Sequence, residues 1–324
     1  MNNSTPSLGI DMAKRAFDAA LWFDDRRCAQ ARFENTPAGF RQLRSWLHQH
    51  FAGKVRAAVE STSVYGDALL QFLFEKCHEV FLLNPEQVAH YARARGQRNK
   101  TDPADARTIA AFIAQHPATP WRPPSPEQKT LRELTRARCQ LITASRRLGN
   151  QLSTTGPVGS AHLKTVLHQI KAQLKIIDRQ IAEHLGQHPG LGQQVQRLMS
   201  LKGVGLVTAA VLIAEFPPIG PTTDPRTIAS WAGLTPHRRQ SGNKEWRTTL
   251  SRKGNAFVRQ ALYMPALVAK RHNPLLRAFA QRLADHGKST PAILGAISHK
   301  MLRILVGLLR SNTDFDPNWS SQKT

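Results

Sequence analysis

"SLGIDMAKRAFDAALWF", residues 7–23, is the stretch on which the fold turns. It reads as two short strands around a polar turn, because its apolar residues run in short blocks broken at "AKR". Outward from it the pattern alternates. "TPAGFRQLRSWLHQHF" (36–51) spaces its apolar residues as a helix after a Thr-Pro start, and "KVRAAVEST" (54–62) is a short buried strand. "GDALLQFLFEKC" (66–77) is a helix and "HEVFLLNP" (78–85) another strand. This order predicts an α/β domain over residues 1–120, a mixed sheet with helices packed on it. "HPATPWRPPSPEQ" (116–128), with five prolines, then acts as a stiff boundary.

From Glu127 the pattern is helical alone. Leu134, Leu141 and Leu148 recur every seven residues; after "TGPVGS", Leu163, Leu167, Ile170, Leu174, Ile177 and Ile181 alternate steps of four and three. Such an a/d seam predicts a helical hairpin or an intersubunit coiled coil over 125–187. "GQHPGLGQQ" (186–194) ends it. Residues 190–312 read as a mainly α, basic C-terminal domain, with "GKSTPAILGAISHKMLRILVGLLR" (287–310) as an amphipathic helix, and 313–324 as a disordered tail.

The chain has 45 Lys and Arg against 22 Asp and Glu, a formal charge of +23 over 324 residues. That excess attracts polyanions and releases counterions when phosphates are neutralised, so nucleic acid is the expected partner. The basic residues are spread along the chain rather than set on one amphipathic helix, which argues against a membrane partner. No run of about 18 apolar residues and no signal-peptide pattern occurs, so a cytoplasmic location is expected. Cys28, Cys77 and Cys139, odd in number and far apart, read as reduced thiols and not as a zinc site.

Against that charge the acids stand out. In "GQRNKTDPADARTIAAFIAQ" (96–115), Asp102 and Asp105 follow a basic run at a helix start. Asp at the N-cap, Pro103 at N1 and an acid at N3 make a good cap. The same spacing puts both side chains on one helix face, about 5–6 Å apart at Cβ, so capping and metal ligation are both open. Asp11 closes the strand-like "LGID", and Glu60 closes "VRAAVE". Carboxylates at strand ends and on a later helix can meet at one sheet edge. There, their repulsion is relieved by a hard cation, Mg²⁺ or Mn²⁺. Arg93, Arg95, Arg98 and Lys100 would grip a backbone beside them.

In the second half, "LKGVGL" (201–206) places Gly203 and Gly205 at a turn between helices, the pattern of a helix-hairpin-helix, with Lys202 beside it. A plain packing turn is the alternative. Further on, Arg238, Arg239, Lys244, Arg247, Arg252, Lys253 and Arg259 surround Ser241-Gly242. By chemistry alone Ser241 is a loop hydroxyl, since no Ser-His-Asp arrangement can be read. Tyr263, a rival nucleophile, reads as a buried helix residue.

"GIDMAK" (9–14), "VEST" (59–62), "NKTDPADA" (99–106) and the "RRQSG" of 238–242 resemble, across nearly the whole chain, the DEDD insertion-sequence transposases with a RuvC-like N-terminal domain. These are bridge-RNA-guided recombinases, related to Piv-type DNA invertases. The resemblance implies a ribonuclease-H-like first domain and a Mg²⁺ (or Mn²⁺) site on Asp11, Glu60, Asp102 and Asp105. It further implies that Ser241 attacks DNA to form a 5′-phosphoserine link. Implied partners are donor and target DNA, a non-coding guide RNA, and further copies of the chain in a dimer or tetramer whose composite site joins the serine of one subunit to the carboxylates of another. Two readings compete: a RuvC-like nuclease using water, and a non-catalytic nucleic-acid-binding protein.

Overall fold

The computed structural model describes residues 5–24, 26–60, 64–96, 102–237, 240–241, 244–245, 249–251 and 253–317; the side chains of Val64, Asp102, Pro103, His237, Gln240, Ser241, Lys244 and Glu245 are outside that description. The chain forms two compact units, Met1–Pro123 and Pro124–Thr324.

The first unit is built on β1 (Ser7–Met12), β2 (Ala16–Trp22), β3 (Cys28–Glu34), helix α1 (Pro37–His50), β4 (Arg56–Glu60), helix α2 (Asp67–Glu75), β5 (Glu79–Leu83), helix α3 (Pro85–Ala94) and helix α4 (Asp102–Gln115). The strands join in the order β3-β2-β1-β4-β5. The first three are antiparallel neighbours, while β4 runs parallel to β1 and β5 to β4. Sequence reading finds every one of these elements except β3 and α3. Strand β3, "CAQARFE", alternates partly covered and exposed residues at the sheet edge and carries no apolar run.

Each face of the sheet has its own packing. Leu8, Ile10, Phe17, Ala19, Leu21, Ala57 and Val59 point to one side, where Phe40, Leu43 and Leu47 of α1 and Leu69, Leu70 and Leu73 of α2 complete a core. Each of those large side chains contributes roughly 1.5–3 kcal/mol by leaving water. Thr36 starts α1 by accepting the Gly39 amide at 3.2 Å. The other face carries small residues. Gly9 pairs with Ala20 on one side and Ala58 on the other, and α4 lies on them. A Cβ at Gly9 would overlap the Ala106 carbonyl oxygen and the Ala110 amide nitrogen, so only glycine lets the helix backbone come this close.

The second unit begins with α5 (Pro126–Leu152) and α6 (Pro157–Gln187), packed against each other as a long hairpin. Then come α7 (Pro189–Met199), α8 (Leu206–Glu215), α9 (Pro225–Trp231), the two-residue strands β6 (Pro236–His237), β7 (Gln240–Ser241), β8 (Lys244–Glu245) and β9 (Thr249–Leu250), and helices α10 (Ala256–His272), α11 (Pro274–Asp285) and α12 (Thr290–Ser311). The hairpin base and the later helices share one core, in which Leu131, Ile181 and Leu185 meet Val195, Leu212, Leu262, Met301 and Leu305. The seam residues from Leu134 to Ile177 are half-buried, and only Ile181 is fully covered. Helix α12 is long and apolar enough to cross a membrane, yet Ile293, Ile297, Met301, Leu302 and Leu305 place its apolar face in this core.

Of the segment after α12, Phe315 packs against the core and its amide donates to Ser200 Oγ at 2.8 Å. One expectation is corrected. Tyr263 is 54% exposed; its neighbours Leu262 and Pro265 take the inward face of α10.

Candidate active site

Strand pairing decides which side chains share a face, since residues directly opposite in a ladder point the same way. Asp11 pairs with Asp18 on β2, and Asp18 pairs with Arg32 on β3. On the other side Ile10 pairs with Val59, so the next step along the parallel strands brings Asp11 beside Glu60, which pairs with Leu83. One cross-strand row therefore reads Arg32, Asp18, Asp11, Glu60, Leu83. It lies one step beyond the row of Ala20, Gly9 and Ala58 on which α4 rests.

Three carboxylates in one row on adjacent strands, roughly 4.8 Å apart per strand, repel one another. Part of that charge is met at once: Arg32 Nη1 lies 3.1 Å from Asp18 Oδ2, with Asp18 only 7% exposed. Sequence reading misses Asp18. The available signal was a lone acid in the otherwise apolar strand "AFDAALW", which hydrophobic patterning treats as noise.

Asp105 stands in the first turn of α4, next to Ala106, whose backbone meets Gly9. Through Ala106 and Ala110 the helix lies over β1 and β2, while Ile109, Phe112 and Ile113 meet Ala58 of β4 and Phe81 and Leu83 of β5. It begins at Asp102, one residue earlier than the capping reading places it; Asp102's side chain and Thr101 lie outside the described residues. Among the described residues no three His, Cys, Asp or Glu side chains form a ready-made metal cage. As donors, Asp11, Glu60 and Asp105 are hard oxygen ligands of the kind Mg²⁺ or Mn²⁺ takes.

Of the expected phosphate-binding cations near this site, Arg93 donates from Nε to Ala89 O, and Arg95 donates to Tyr91 Oη while stacking on its ring. Arg98 and Lys100 lie outside the described residues. The β1–β2 turn adds exposed Lys14 and Arg15 next to Asp11. Burial pushes the Cys28 thiol up despite nearby Arg107, so it has no thiolate character at neutral pH; all three cysteines are free.

In the second unit, Gly203 has φ +110° in the turn from α7 to α8, between buried Leu201 and Val204. Lys202 is exposed, and Gly205 precedes α8 with no side-chain cap. Gly203 also faces Pro265 O of α10, 3.2 Å from where its Cβ would lie, so this turn has a packing role whatever else it does.

The Ser241 segment is anchored at both ends. Ser241 pairs antiparallel with Lys244, and Pro236 pairs with Leu250. Leu250 packs on Gly295 of α12, where an added Cβ would sit 2.9 Å from its Cδ1. Arg259 Nη1 donates to Ala232 O and Gly254 O, both at 2.9 Å. That guanidinium staples the two strands of chain that enter and leave the segment. Gly233 (φ +70°) and Gly254 (φ +136°) make the close crossing possible. Beneath it, Glu215, 2% exposed at its side chain, receives Arg136 at 2.6 and 2.9 Å and Asn255 Nδ2 at 2.8 Å. Asn255 in turn caps α10. Lys253 is exposed; Arg238, Arg239, Arg247 and Arg252 lie outside the described residues, as do the side chains of Ser241 and Lys244.

Comparison with known proteins finds a match in each unit, the first running past the unit boundary into α5. The model of the IS110-type DEDD transposases matches residues 8–155, and that of the IS116/IS110/IS902 transposase family matches residues 195–281. The chain is 28% identical over 317 residues to the Pilin gene-inverting protein of Moraxella bovis, covering 95% of this chain and 97% of the relative. It is 24% identical over 292 residues to the transposase for insertion sequence element IS1328 of Yersinia enterocolitica, covering 81% and 83%. It is 25% identical over 220 residues to the transposase for IS1111A of Coxiella burnetii, covering 59% of each. Both halves of the chain thus match one group of proteins, and the chain belongs to the IS110/IS116 family of transposases.

Proposed function

We propose that this protein breaks and rejoins DNA strands, with a carboxylate site holding Mg²⁺ or Mn²⁺ in the first unit and Ser241 as nucleophile. The observation that supports the reading is the row Asp18, Asp11, Glu60 on the sheet face that carries Gly9, against which α4 packs. An acidic row in a chain of +23 is explained by a cation that in turn meets phosphate. Asp11, Glu60, Asp102 and Asp105 would hold it, and when bound it supplies charge neutralisation at the reacting phosphate. Asp18, turned toward Arg32, fixes the strand position from which Asp11 projects.

Ser241 Oγ attacks phosphorus, the P–O3′ bond breaks, the serine proton passes to solvent, and the leaving oxygen takes up a proton as a free 3′-hydroxyl. The 5′ end stays on the protein as a phosphoserine ester until a second 3′-hydroxyl, giving its proton to solvent, attacks the phosphorus; the P–Oγ bond breaks and Ser241 regains a proton. The Arg259 staple and the Glu215–Asn255 contact support the segment that presents Ser241. The serine of one subunit serves the carboxylates of another, with the α5–α6 hairpin as the assembling element and the α7–α8 turn as a backbone grip. A structured guide RNA, implied by the family resemblance, selects the DNA. The named action of the pilin gene-inverting relative makes segment inversion an outcome to score beside transposition.

The test uses cells carrying the gene with its own flanking DNA, lysed into denaturant. Wild-type protein leaves a denaturation-resistant protein–DNA adduct, and Ser241→Ala and Asp105→Ala leave none. Nicked DNA without adduct would move the nucleophile to water. An undiminished adduct in folded Asp105→Ala protein would remove Asp105 from the site.

A further inference from the structure

Helices α11 and α12 carry a feature that the carboxylate chemistry does not use. Between Lys270 and Arg303 the sequence has seven Lys and Arg but a single acid, Asp285, and Asp285 is engaged by Gln281 Nε2 at 2.8 Å. At the centre is Phe279. Lys300 Nζ lies 4.5 Å from its ring centroid and the Arg282 guanidinium 5.5 Å. Arg303 follows Lys300 by three residues on α12, so it adds its charge on the same side, and none of the three is in an ion pair among the described residues. Two cations on one phenyl ring and a third beside them is an arrangement that repels itself. Burial, with Arg282 and Arg303 nearby, pulls the Lys300 ammonium below its ordinary range, and His299 is pulled down by burial and Arg303.

A protein keeps such a cluster at a cost in stability, and the cost is recovered when a polyanion arrives. Two cations meet the Phe279 ring, and with Arg303 the face offers positive charge from two adjacent helices. We infer that Arg282, Lys300 and Arg303 around Phe279 form a phosphate-binding face that takes the phosphodiester backbone of a nucleic acid. The face needs the protein to act on nucleic acid but is independent of which residues cut it.

The experiment measures binding of the full-length protein to a labelled random-sequence DNA duplex and, separately, to a single-stranded RNA across a salt series. The test variant is Arg282→Gln/Lys300→Gln/Arg303→Gln. The control, Lys164→Gln/Lys171→Gln/Lys175→Gln, removes the same charge from exposed positions on α6. Each lost phosphate contact lowers the slope of log K against log salt by about 0.9 on duplex DNA and about 0.7 on a single strand. The test variant should therefore lose roughly two to three units of slope on the nucleic acid it serves, and about tenfold or more in affinity at moderate salt. A drop on duplex alone assigns the face to DNA, and a drop on the single strand alone to RNA; a drop on both supports a shared backbone grip. A test variant matching the control on both probes overturns the proposal. Arg303→Gln alone, at an exposed position, should cost about one unit of slope, which keeps the test readable if the triple variant folds poorly. Because removing Lys300 relieves repulsion, Lys300→Gln should melt no lower than wild type while binding more weakly; lower melting with unchanged binding would make the cluster structural. Binding is the readout throughout, so failure here and failure of the Ser241 chemistry are separate results.

Discussion

Asp18 stands directly opposite Asp11 across the antiparallel ladder of β1 and β2, with Arg32 holding its outer oxygen at 3.1 Å. Two carboxylates so placed share a field, and the guanidinium engages that of Asp18; under the proposed function this leaves Asp11 to the metal. Outer-shell partners of this type typically tune metal affinity or activity by 10–100-fold. Asp18→Asn should therefore fold and still form the adduct, but with half-maximal formation shifted about tenfold or more in Mg²⁺ concentration. Asp11→Asn should give none at any concentration. Equal metal dependence in wild type and Asp18→Asn would reduce Asp18 to a strand residue.

The approach of α4 to β1 sets a second expectation. Gly9→Ala puts a methyl group into the Ala106 carbonyl and Ala110 amide, both backbone groups that cannot rotate away. Overpacking of this kind costs about 1–3 kcal/mol, read as a lower urea midpoint. It also lifts the start of α4, and Asp105 with it, from the strand that carries Asp11, so under the proposed function adduct formation should fall further than the stability loss explains. Wild-type activity in Gly9→Ala would mean that the helix position does not matter.

The buried carboxylate of Glu215 is the joint of the second unit. It binds Arg136 through two contacts and Asn255 through one. Glu215→Ala leaves the guanidinium and the amide without their acceptor, and loss of one partner of such a pair costs roughly 3–5 kcal/mol. Chemical denaturation should register it. Arg138 and Asp178, an ion pair at the hairpin with Asp178 about two-fifths exposed, should matter much less when cut by Asp178→Asn.

Acid sensitivity should appear in the first unit through His78. Its Nδ1 accepts the Val55 amide at 3.3 Å, which requires a nitrogen without a proton there. Burial first, then His48 and Lys54, hold it below the ordinary histidine range. The unfolded chain therefore takes up the proton more readily than the folded one, and stability is lost as pH falls below about 6.5 through the folded value. Melting temperature followed from pH 7 to pH 5 should drop less in His78→Gln than in wild type. Parallel curves would place the acid sensitivity elsewhere.

How much of this was legible in the sequence follows from how local each signal is. Strands β1, β2, β4 and β5 were readable because their apolar runs are consecutive, and α1 because Thr36-Pro37 announces it. Strand β3 was not, since an edge strand with one wet side looks like a loop. The acids at Asp11 and Glu60 could be picked out as strand ends, but their adjacency depends on β4 running parallel to β1, and that register is a product of packing. Asp18 was hidden for the same reason: its importance comes from being opposite Asp11. Arg259 shows the reverse case. It was read as a phosphate ligand by its basic company, and its bonds from Nη1 to two carbonyls are a structural role that no local pattern announces. Tyr263 was read as buried from apolar neighbours, whereas helix geometry turns it outward.

The α5–α6 hairpin has one more consequence. From Arg136 through Gln180 no side chain is fully covered, while Leu131, Thr135, Ile181 and Leu185 at its root are. Such an arm has no reservoir of burial to resist local opening, so deuterium should enter its outer turns quickly and reach its root only when the whole unit melts. Its outer turns thus rest on the contact of α5 with α6 alone, and a substitution there should cost less stability than one at Leu131 or Ile181.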